Sequence, residues 1–74
     1  MIKSLDLYDP WAAAYAISTG AQLVTILPGE FVRYVFDDSN GQASRALGEW
    51  RQGRAMVAAK VFASAYRHVR RLAR

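Results

Sequence analysis

Seventy-four residues without a cysteine make at most one small domain, expected to span residues 1–74, and exclude a disulfide framework or thiolate metal sites. A hydrophobic fraction of 53% beside 22% charged residues is globular composition, which argues against disorder throughout, although many of the apolar residues are alanines that bury little area each. The net charge of +4 conceals a polarity: residues 1–50 carry three cations against six acids, net −3, whereas residues 51–74 carry seven cations and no acid.

That asymmetry points to an anionic partner, or to two halves that attract each other. The start of the chain, MIKSLDLYDP, lacks the pattern of a secretory signal, and no run reaches the ~18 to 20 apolar residues of a membrane span. A cytoplasmic location is the expectation. A core this small leaves about 3 to 5 kcal/mol of stability unless something else helps.

Taken in order, Lys3 to Tyr8 alternates Leu5 and Leu7 against Ser4, Asp6 and Tyr8, the pattern of a short half-buried strand. Asp9-Pro10 marks a helix start, with the aspartate as N-cap and proline at the first helical position, where its missing N–H costs nothing. Trp11, Ala14, Tyr15 and Ser18 share one side of that helix, Ala12, Ala13 and Ala16 permit close approach to a sheet, and Gly20 ends it.

Two β-rich runs follow, Gln22 to Leu27 and Phe31 to Asp38, and Pro28-Gly29-Glu30 between them favours an antiparallel hairpin. In the second run Val32, Tyr34 and Phe36 form the face expected to meet the helices, and Phe31, Arg33, Val35 and Asp37 form the other. Ser39 with Gln42 three residues on matches a capping box for the next helix. Its apolar stripe is Ala43, Ala46, Leu47 and Trp50, and Gly53 is placed to terminate it in a left-handed conformation.

From about Val57 the chain reads as the longest helix. Ala58, Ala59, Phe62, Ala65, Tyr66, Val69 and Ala73 cluster on one side of it, Lys60, Arg67, Arg71 and Arg74 cluster nearly opposite, and Arg70 lies on the flank. The expected fold is a small α+β domain in the order β-α-β-β-α-α, mainly antiparallel, with helices on one face of the sheet; the first strand pairs with the hairpin to make three strands.

The stretches DPWAAAYAISTG (Asp9 to Gly20), VRYVFDD (Val32 to Asp38), EWRQG (Glu49 to Gly53) and FASAYRHVRRL (Phe62 to Leu72) are spread over almost the whole chain. With them the chain resembles a small uncharacterised bacterial and bacteriophage domain family. Its members read as an Ala-Ala-Tyr helix, a strand ending in Phe-Asp-Asp or Phe-Glu-Asp, and a final helix ending in cations. The resemblance implies the fold and a phage or mobile-element origin, and brings no activity or catalytic residue with it.

The candidate site is the basic face of the last helix, Lys60, Arg67, Arg70, Arg71 and Arg74, which suits the phosphates of DNA or RNA, with His68 or Ser64 adding hydrogen bonds. A charge stripe also simply faces water, and cations in a last helical turn are favoured by the macrodipole by ~0.3 to 1 kcal/mol each. A helix-turn-helix fits poorly, because Arg54 to Met56 reads as extended and the cations sit late in the final helix. Phe31 beside Arg33 is a minimal sheet-based site for single strands, but Phe31 is expected to pack against a helix.

Asp37-Asp38 is expected to serve a strand end and a helix cap rather than a metal, since neighbours on a strand point to opposite faces. His68 has no nucleophile to activate, and Trp11 and Trp50 are expected in the core. Two functions follow: a noncatalytic module contacting nucleic acid, or an accessory protein that forms a homodimer or docks on a larger assembly. Neither needs a cofactor, metal or small-molecule substrate, and an enzyme is not expected.

Overall fold

The computed structural model describes residues 3–73. Strand β1 (Ser4–Leu7), helix α1 (Pro10–Ser18), strands β2 (Gln22–Leu27) and β3 (Arg33–Asp37), and helices α2 (Gln42–Arg51) and α3 (Ala59–Leu72) follow one another in the anticipated β-α-β-β-α-α order. The three strands form one antiparallel sheet in the order β1-β3-β2, so β3 is central. Phe36 lies between Leu5 and Leu23, and Tyr34 between Leu7 and Ile26. These residues face the helices; Phe36 is fully buried and Tyr34 nearly so.

Strand β2 does not alternate regularly. Leu23 pairs with Phe36 and Thr25 with Val35, which leaves Val24 as an extra residue in a bulge. The bulge turns Leu23 and Ile26, three residues apart, toward the same inner face. Val24 is left exposed.

Asp9 caps α1 as its composition requires, its Oδ1 accepting a hydrogen bond from the Trp11 N–H at 2.9 Å. The helix ends with Gly20 at φ 100°, the Gly20 N–H reaching the Ile17 carbonyl and the Ala21 N–H the Ala16 carbonyl, each at 3.0 Å. Helix α2 ends the same way: Gly53 at φ 69° bonds Trp50, and Arg54 bonds Glu49.

Residues Ala12 to Ala16 are all buried, so the middle of α1 has no open stripe, and the helix packs against α2 and α3. Alanine makes that possible, because it lets neighbouring backbones approach closely. The expected one-sided stripe through Trp11 and Ser18 is therefore corrected. Trp11 lies half in solvent, and the Ser18 hydroxyl donates back to the Tyr15 carbonyl.

The capping box is corrected too. Helix α2 begins later than Ser39: the Gly41 N–H bonds the Asp38 carbonyl at 2.9 Å, making a turn of residues 38–41, and Gly41 is the N-cap. The Gln42 side chain instead donates to the Thr19 carbonyl, tying α2 to the end of α1. Asp38 does the capping, its carboxylate accepting from the Ser44 N–H at 2.9 Å and from the Ser44 hydroxyl.

Helix α3 starts at Ala59, two residues later than expected, and Ala58 and Ala59 are exposed rather than packed. Its inward residues are Ala65 and Val69, flanked by Phe62 and Tyr66. Among the described residues no helix is long and apolar enough to cross a membrane.

Candidate nucleic-acid interface

The inward direction of α3 is fixed by Ala65 and Val69, which places the opposite surface in solvent. Lys60, Arg67, Arg70 and Arg71 are all exposed there; Arg74, the fifth expected cation, lies outside the described residues. Among the described residues none of the four has a carboxylate within ion-pair distance. Among the described residues the ion pair present is Arg33 with Asp6, at 3.5 Å on the open face of the sheet.

The four cations do not form one cluster. Arg67, Arg70 and Arg71 line a shallow depression of ≈ 270 Å³ together with Tyr66. Lys60 lies seven residues, hence about 10 Å, nearer the helix start. It borders a different groove, of ≈ 560 Å³, with Ile17, Val61, Ser64 and His68. His68 and Ser64, expected to assist the arginines, belong to that second groove. His68 also borders a third groove with Val24, Ile26 and Leu72.

An aromatic assembly beside the arginines escapes sequence periodicity. Trp11 of α1 stacks on Tyr66 of α3, with ring centroids 4.1 Å apart and planes inclined by 15°, and lies 5.9 Å from Phe62 at 9°. Phe62 also lies near-parallel to Trp50 of α2, at 6.1 Å and 12°. The guanidinium of Arg70 sits 5.9 Å from the Tyr66 ring centroid and donates to the Tyr66 hydroxyl at 3.2 Å. The spacing Phe62, Tyr66, Arg70 at four-residue intervals is the one sequence signal that points there, since such residues stack along a helix.

The remaining candidates fall into structural roles. Asp37 accepts from the Ser39 N–H, and hydrogen bonds to Ser39 hold its carboxyl below the usual aspartate range. Asp38 is buried, and its bonds to Ser44, side chain before backbone, lower its pKa in the same way. Among the described residues no cluster of three or more metal-ligating side chains occurs. Phe31, expected to pack against a helix, is instead 74% exposed, because it precedes β3 on the loop and no helix covers that side. Its neighbour Arg33 is engaged by Asp6. Trp50, expected in the core, is only half-buried. Residues 52–58 separate α2 from α3, too long a connection for the ~3 to 4-residue turn of a helix-turn-helix.

No family model, curated protein or solved structure matches the chain.

Proposed function

We propose that the protein is a noncatalytic binding module that contacts nucleic-acid phosphates through Arg67, Arg70 and Arg71, with Lys60 as an outlying contact. The observation that carries this reading is the absence of any carboxylate beside these exposed cations among the described residues. An unpaired guanidinium in solvent keeps its full attraction for phosphate and loses no internal ion pair on binding. Arg67, Arg70 and Arg71, at i, i+3 and i+4 on α3, gather three positive charges around one depression.

The test is a titration with duplex DNA and with RNA at two salt concentrations. Log affinity for duplex DNA should fall with log salt by ~0.9 per neutralised phosphate, and the double variant Arg67→Gln, Arg71→Gln should lower that slope by ~2. Unchanged affinity and slope in the double variant would exclude this face as the contact.

A second function, self-association or docking on another protein, is favoured by the other flank of α3. There Val24, Val61 and Leu72 are exposed along the grooves that meet at His68. A concentration-independent monomer in sedimentation would remove the homodimer.

A further inference from the structure

We propose that the open face of Trp11 is a stacking site for an unpaired base of single-stranded nucleic acid whose neighbouring phosphates lie on Arg67, Arg70 and Arg71. This rests on the phosphate-binding reading of α3 and narrows its ligand class. Tyr66 covers one face of the indole at 4.1 Å. Trp11 is nevertheless 48% exposed, so about half of the residue stays open to solvent beside that contact.

The platform is held in place before any ligand arrives. Phe62 and Tyr66 are near-parallel at 6.5 Å and 18° and make a floor beneath the indole. Trp50 extends the same set of planes, and Tyr15, hydrogen-bonded to Glu49, closes it from the core side. A ring already fixed by its neighbours gives up little rotamer freedom when a base settles on it.

Charge beside the ring supplies the phosphate contacts. Arg70 is held against Tyr66, the ring that stacks on Trp11, and Arg67 and Arg71 line the same depression. A base inside a duplex has both faces covered by its neighbours, so only an unpaired base can use the indole. Stacking reads no base edge, and the site is therefore tolerant of sequence.

The probes are oligothymidylate, an abasic strand of equal length and a duplex of equal length, titrated at low salt with indole emission as readout. Oligothymidylate should bind about 5- to 150-fold more tightly than the abasic strand and quench the emission. Trp11→Leu should reduce oligothymidylate to the abasic level. If that variant does not fold by circular dichroism, Trp50→Phe leaves Trp11 as the sole indole, and quenching must persist in it. Equal affinity for oligothymidylate and the abasic strand overturns the stacking site while leaving the phosphate contact standing. No binding of any probe overturns both.

Discussion

The Tyr15 hydroxyl donates to Oε1 of Glu49 at 2.8 Å, joining the middle of α1 to the last turn of α2. Helix α2 packs chiefly on α1, so this bond and the Gln42 contact to Thr19 are what fix its position beyond apolar burial. Tyr15→Phe removes one hydrogen bond and leaves the Glu49 carboxylate with water, and should cost about 1 kcal/mol in urea unfolding. The bond to Glu49 and then burial raise the Tyr15 pKa above its ordinary 10.0. The folded protein thus holds this proton more tightly than the unfolded chain. The associated stability is complete below pH 10 and is lost as pH rises through the folded value. Tyr15→Phe should flatten that alkaline decline in part, because burial raises Tyr34 as well.

The acid side depends on Asp38. Its folded pKa lies below the ordinary 3.8, through the Ser44 side chain first and the Ser44 backbone second. The stability it contributes is present above pH 3.8 and is lost as pH falls through the folded value. Asp38→Ala should cost ~1 to 2 kcal/mol near neutrality, as the loss of a helix cap does, and should weaken the acid decline. Ser44→Ala retains the backbone bond and should do less. Thermal unfolding at neutral pH and at pH 3 separates the two variants.

The elements and their order were legible because their punctuation is local chemistry: Asp9-Pro10 opens α1, and Gly20 and Gly53 take the left-handed conformation that closes α1 and α2. What sequence spacing mistook had competing local solutions or nonlocal causes. Ser39 and Gln42 have capping-box spacing, but the bond from Gly41 to Asp38 inserts a turn first and hands the cap to Asp38. In β2 the inward residues are three apart, and only a bulge at Val24 reconciles that with a pleated strand. On α3, Lys60, Arg67, Arg70 and Arg71 are exposed as their periodicity predicts. Periodicity could not place Trp11 over Tyr66, because that contact joins helices distant in the chain.

Phe36 is fully buried at the centre of the sheet, between Leu5 and Leu23. Replacing a core phenylalanine by alanine costs ~3 to 5 kcal/mol, as much as the whole stability expected of a core this small. Phe36→Ala should therefore be largely unfolded at 25 °C by circular dichroism. Phe36→Leu keeps most of the volume and should remain folded with a lower Tm.

Removing charge from α3 should behave oppositely. Arg67 and Arg71 are four residues apart on an exposed face, and like charges at that spacing destabilise a helix by ~0.2 to 0.5 kcal/mol. Arg71 also lies in the last turn, where the macrodipole returns ~0.3 to 1 kcal/mol. The two effects are of similar size and opposite sign, and no ion pair among the described residues is broken. The double variant Arg67→Gln, Arg71→Gln should thus unfold within about 0.5 kcal/mol of the unsubstituted protein. Salt distinguishes the components: screening at 0.1 M acts over ~10 Å, so added salt should relieve the arginine repulsion in the unsubstituted protein more than in the variant. A large loss of Tm in the variant would mean that these arginines support the fold. Preserved Tm with a smaller salt dependence of binding would assign their charge to a partner.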